Sequence, residues 1–77
     1  MSKHKNPEYA KEFARRLRAR MDELGVTSQQ LAQLSDLPLT SVYNFVYKDT
    51  HVPQADTVVK LANALNVSTD YLINFQV

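Results

Sequence analysis

The 77-residue sequence contains no cysteine, no tryptophan, a single glycine and three prolines. Without cysteine there is no disulfide framework, no thiolate zinc site, no redox dithiol and no cysteine nucleophile. One glycine cannot build a glycine-rich phosphate loop, which needs several. No apolar run approaches the roughly 20 residues of a membrane span. The start, Met1-Ser2-Lys3-His4-Lys5, runs into Asn6-Pro7-Glu8 without the apolar stretch of a secretory signal, so a cytoplasmic location and no membrane partner are expected. Histidine is equally scarce: His4 and His51 lie far apart, whereas a tetrahedral metal site needs three or four ligands. Neither a metal nor any other cofactor is expected.

Catalytic patterns are thin as well. Ser28, Ser35, Ser41 and Ser68 are linked to neither histidine by any nucleophile signature. Asp22 and Glu23 are adjacent, so on a helix they diverge by about 100° rather than face one substrate. The chain is not expected to be an enzyme.

What is present is one small domain, residues 1–77, in which 44% of residues are hydrophobic. A domain this short buries only about 60% of the surface its unfolded chain exposes, so helix packing or self-association must hold it together. The net charge of +1 hides an uneven distribution. Residues 1–25 carry Lys3, Lys5, Lys11, Arg15, Arg16, Arg18 and Arg20 against four acids; the remainder carries Lys48 and Lys60 against four aspartates. A polyanion would feel the first segment most, and residues 1–6 read as a short basic arm. The alternative for the arginines is a solvated helix face.

The periodicity is helical throughout. Asn6, Pro7 and Glu8 supply a cap, a first-turn proline and an acid at the positive dipole end; Phe13, Leu17, Met21 and Leu24 then form one stripe, and Gly25 stops the helix near residue 24. Thr27 or Ser28 caps a second helix ending near Ser35, and Asp36-Leu37-Pro38 forces a turn. A third helix, Leu39 to Tyr47, puts Val42, Phe45 and Val46 on one side and Leu39, Thr40, Tyr43, Asn44 and Tyr47 on the other. Its second face is aromatic and polar, without charge. After a polar loop through Pro53, Val58, Leu61, Ala62 and Leu65 mark a fourth helix over 55–65 with Asn66 as its stop, and Ser68 opens a fifth. The expected fold is all-α, with five helices.

Two short helices, 28–35 and 39–47, joined by a tight turn between longer amphipathic helices form a helix-turn-helix. The residues Gly25-Val26-Thr27-Ser28-Gln29-Gln30-Leu31-Ala32, then Leu37, Val42 and Pro53, then Leu61-Ala62-Asn63-Ala64-Leu65-Asn66-Val67-Ser68-Thr69-Asp70-Tyr71-Leu72 carry a resemblance to the Cro and phage-repressor (XRE) family of DNA-binding domains. The likeness runs without gaps from about Phe13 to Leu72. It implies a lambda-repressor-like domain in which Leu31 to Ser35 belong to the first helix of the motif and Leu39 to Tyr47 form the recognition helix, lying in the major groove.

Carried over by position, the resemblance makes Leu39, Thr40 and Asn44 base-contacting residues, with Tyr43 beside them. Asn can bond adenine N6 and N7, and Leu and the Thr methyl can pack on a thymine methyl, which favours an A·T-leaning half-site. Phosphate contacts are expected from Thr27 and Ser28 at the start of helix 2 and from Tyr47, Lys48, Thr50 and His51 after helix 3. The chain departs from the pattern at several places. Ser28 stands where Gln is usual, Asp36 replaces the turn glycine and Pro38 the Ser or Thr cap. Met21 and Val46 stand where many relatives pair Arg with Glu, so these two are expected to touch. The recognition helix has no Arg or Lys before Lys48, and Asp49 sits where many relatives have a base, so DNA affinity should depend on a dimer or on the arm.

These features lead to a sequence-specific transcription regulator, a repressor that binds a palindromic operator as a homodimer with recognition helices about 34 Å apart. Leu72, Ile73, Phe75 and Val77 are the expected dimer contacts, with core packing as their alternative. The competing function is a protein-interaction module of the same fold, such as an antitoxin, whose apolar helix 3 anchors a protein partner through Leu39, Tyr43 and Tyr47.

Overall fold

The computed structural model describes residues 7–48 and 53–73. The arm at 1–6, with Lys3, His4, Lys5 and the Asn6 cap, lies outside the described residues, as do Asp49, Thr50, His51, Phe75 and Val77. All regular structure among the described residues is helical: α1 (Pro7–Leu24), α2 (Ser28–Ser35), α3 (Leu39–Tyr43), a π-helical segment (Asn44–Lys48), α4 (Ala55–Ala64) and α5 (Thr69–Ile73). No helix among them is long and apolar enough to cross a membrane.

Three of these helices stop in the same way. After α1, the Val26 amide donates to the Met21 carbonyl at 2.9 Å and the Gly25 amide to Asp22 at 3.2 Å. Leu37 to Ala32 and Asp36 to Gln33 repeat the pair after α2, and Val67 to Ala62 and Asn66 to Asn63 repeat it after α4. This is the Schellman arrangement, which requires one left-handed residue followed by an apolar contact. Gly25, Asp36 and Asn66 supply φ values of 68°, 59° and 58°. Val26, Leu37 and Val67, one residue later, pack against the core. A chain with one glycine therefore ends three helices, because Asp and Asn tolerate this conformation better than other side chains.

The core is one cluster. Phe13, Leu17 and Met21 from α1 meet Leu31 and Ala32 from α2, Val42 and Val46 from the third helix, Val58, Leu61 and Ala62 from α4 with Leu65 just after it, and Leu72 from α5. Met21 and Val46 are both buried in this cluster, where the sequence pairs them. Packing joins α2 to α3 and α4, and α1 to the π segment and α5. The two helices of the motif are thus held from behind by α1 and α4, which leaves the front of α3 uncovered.

The third helix changes pitch, a difference from the uninterrupted α-helix expected over 39–47. It is α-helical to Tyr43 and π-helical over Asn44–Lys48. Val42 and Val46 stay fully buried on one side of it. Side-chain spacing does not distinguish the two pitches over so few residues, so the sequence alone does not reveal the wider turn.

Candidate nucleic-acid interface

The turn between α2 and α3 sets the angle at which the third helix is presented. Asp36 takes the left-handed conformation, and Pro38 is extended at φ −62° and ψ 143° with no side-chain cap bond. The Val42 amide reaches the Pro38 carbonyl at 3.2 Å and starts the helix. Proline stiffness therefore does the work that a Ser or Thr cap performs elsewhere.

On α3 and the π segment, Leu39, Thr40, Tyr43, Tyr47 and Lys48 are exposed and Asn44 is half-buried. Of the four expected base-contacting residues three are exposed and Asn44 is half-buried, while Val42 and Val46 of the same helix are fully buried. Tyr43 and Tyr47 meet edge to face with ring centroids 5.1 Å apart, so the two phenols form one unit rather than two independent side chains.

Thr27 and Ser28 separate. Thr27 is exposed and makes a capping box: its Oγ1 accepts the Gln30 amide at 3.1 Å, and its own amide donates to Gln30 Oε1 at 2.9 Å. The Leu31 amide donates to the Thr27 carbonyl, so the amides of Ser28 and Gln29 remain at the positive end of α2. Ser28 is buried and its Oγ has no hydrogen-bond partner. The expectation that the Ser28 side chain touches phosphate is corrected: its Oγ is sealed under neighbouring atoms, and only its backbone amide is available for such a contact.

A second correction concerns α5. Leu72 has no exposed surface and belongs to the core, so it is not a dimer contact. For Leu72 it is the alternative of core packing that holds. Ile73, 40% exposed, is the one member of that group which the structure places at the surface; Phe75 and Val77 lie outside the described residues.

The sequence offers the arginines of α1 as a field for polyanions or as a solvated face, and the structure gives three of them another task. Arg16 Nη1 donates to the Tyr71 carbonyl at 2.9 Å, Arg20 Nε to Leu65 at 2.9 Å and Arg18 Nη1 to Val46 at 2.7 Å. Each acceptor sits in the last turn of a different helix, or just after it, where carbonyls lack intrahelical partners and the dipole is negative. Spaced two apart, Arg16 and Arg20 fall on one flank of the Leu17 stripe and Arg18 on the other. The acceptors are 28 to 55 residues away in sequence, so no local signal could have found them.

Arg18 thereby faces the third helix. It lines an open groove of about 480 Å³ together with Ser28, Leu39, Tyr43, Val46 and Tyr47. The groove joins the start of α2 to the exposed face of α3. No cluster of His, Asp or Glu suited to a metal occurs among the described residues.

Comparison with known proteins agrees with this geometry. Residues 17–72 match the model of a family described as helix-turn-helix. The HTH-type transcriptional regulator ImmR of Bacillus subtilis is 34% identical over 61 residues, which cover 79% of this chain and 47% of that protein. The chain thus spans about half the length of the curated relative it matches. The crystal structure of the restriction-modification controller protein C.AhdI from Aeromonas hydrophila superposes with a TM-score of 0.74 at 27% identity, covering 80% of this chain and 92% of that one.

Proposed function

Given that the chain belongs to the XRE-type helix-turn-helix family, we propose that it is a sequence-specific DNA-binding transcription regulator, a repressor that binds a palindromic operator as a homodimer. The observation that carries this reading is the front of the third helix. Leu39, Thr40 and Tyr43 are exposed and Asn44 is half-buried. Behind them Val42 and Val46 fix the helix in the core. In the major groove Asn44 pairs with adenine and Leu39 and the Thr40 methyl meet thymine methyls. Thr27, Tyr47, Lys48 and the Ser28 amide border the strands, with Thr50 and His51 assigned there by sequence alone. The names of the two relatives, a transcriptional regulator and a restriction-modification controller, support the regulatory role.

Selection of bound fragments from a random duplex pool at near-physiological salt tests the reading. A two-fold-symmetric motif is the expected outcome, with half-sites about 34 Å apart or a multiple of that. Thr40→Ala and Asn44→Ala should each weaken discrimination at one base position by about 1–3 kcal/mol.

A second reading rests on the apolar character of the same face. Leu39, Tyr43 and Tyr47 are 41%, 53% and 57% exposed and would serve as anchors for a protein partner, as in an antitoxin. Well-folded protein that enriches no sequence would favour this reading over the first.

A further inference from the structure

We propose that Arg18, on α1 and outside the helix-turn-helix, is a phosphate-contacting residue of the DNA interface and supplies the positive charge that the recognition helix lacks. The inference rests on the DNA-binding reading and adds to it a residue that neither the motif nor its spacing indicates. From Leu39 to Tyr47 the third helix has no basic side chain. Arg18 reaches this face from behind: its Nη1 donates to the Val46 carbonyl at 2.7 Å, and the side chain lines the groove bordered by Leu39, Tyr43 and Tyr47.

A guanidinium has five N–H donors in a rigid fork, and the Val46 carbonyl uses one. Among the described residues Arg18 makes no other hydrogen bond or ion pair, whereas Arg16 is held by Glu12 and Arg20 by Glu23. Arg18 is half-buried, lines the groove and is anchored at one end by the Val46 carbonyl. A pre-positioned fork of this kind matches a phosphate better than a lysine on a flexible stem. The Ser28 and Gln29 amides at the start of α2 border the same groove and carry the same partial sign. The one opposing group is Asp22, which lines the groove one turn along α1 and forms no ion pair with Arg18. A phosphate entering the groove therefore meets Arg18 in competition with Asp22.

The test measures affinity for the duplex enriched in the selection described above, over a range of salt concentrations, for the full chain and for Arg18→Met, Arg18→Lys and Arg20→Met. Loss of one phosphate contact lowers the slope of log Kd against log salt by about 0.9. The expected result is that decrease for Arg18→Met, recovery of the slope in Arg18→Lys, and an unchanged slope for Arg20→Met, which removes equal charge on the other flank. An Arg18→Met protein that binds with the wild-type slope overturns the proposal and leaves Arg18 as a helix cap only. If Arg18→Met does not fold, the wild-type protein decides the matter. DNA should protect Arg18, and not Arg20, from a dicarbonyl reagent read by peptide mass spectrometry, and equal reactivity with and without DNA rejects the contact. Absence of any DNA binding by the wild type removes the regulatory reading itself, an outcome distinct from failure of Arg18 alone.

Discussion

At the start of α2, the Thr27 hydroxyl accepts the Gln30 amide while the Ser28 hydroxyl, one residue on, is buried without a partner. A capping oxygen contributes about 1 kcal/mol, so Thr27→Ala should lower stability by about that amount. An unsatisfied buried hydroxyl costs about 1–3 kcal/mol, so Ser28→Ala should be neutral or stabilising. Urea unfolding of both variants checks the pair, and a Ser28→Ala protein clearly less stable than wild type would mean that the hydroxyl has a partner in solution. The left-handed residues invite a similar comparison. A Cβ at Gly25 would meet nothing within 4 Å, so Gly25→Ala is penalised by backbone conformation alone, about 1–2 kcal/mol. Asp36 already sustains that conformation, and Asp36→Gly should raise the thermal midpoint slightly; a fall would show that the aspartate is stabilised by more than its cap geometry.

Within α1, Glu12 receives Arg15 at 2.6 Å and Arg16 at 2.8 Å. Hydrogen bonds from Arg15 and then Arg16 hold its carboxyl at about 2, below the ordinary value of 4.5. A carboxylate with a depressed folded-state value stabilises the fold above its unfolded value, and that contribution is lost as pH falls toward 2. The melting temperature should therefore decline between pH 4.5 and 2, and Glu12→Gln should flatten that decline. The pair is at the surface, so 1 M salt should reduce the effect; identical pH profiles for the two proteins would remove Glu12 from the account. The sequence made α1 and α2 legible to their ends because proline, Thr27, Gly25 and Asp36 act locally. It concealed the π turn, since Val42 and Val46 keep their spacing at either pitch. It also concealed the role of Arg16, Arg18 and Arg20, whose carbonyl partners come from other helices. On the third helix, the exposure of Leu39, Thr40 and Tyr43 was legible because turn chemistry and apolar periodicity together indicate which residues the core leaves uncovered. The burial of Ser28 was not, because burial of a first-turn side chain depends on how α1 approaches it.

For the molecule as a whole, the division between core and assembly runs between two adjacent residues of α5. Leu72 is sealed and Ile73 is at the surface. Leu72→Ala should cost about 2–5 kcal/mol in a domain with little stability to spare. Ile73→Asp should leave the monomer folded and, if Ile73 belongs to a two-fold contact, shift sedimentation toward monomer; an unchanged sedimentation profile would exclude Ile73 from the dimer. Core and surface were indistinguishable here by composition, since apolar residues at the end of a small domain suit either task.

The reading helix offers the strands a single formal charge of its own, Lys48. Attachment to DNA of arbitrary sequence is almost wholly electrostatic. For a regulator built in this way, the chromosome, with roughly 10⁶–10⁹ competing positions, becomes a shallow reservoir. So far as the reading helix alone sets that attachment, few molecules would be stored on irrelevant sequence, and the unbound pool would follow synthesis and degradation closely. Operator occupancy would then report copy number with little buffering, so the gene's own expression level becomes the control signal.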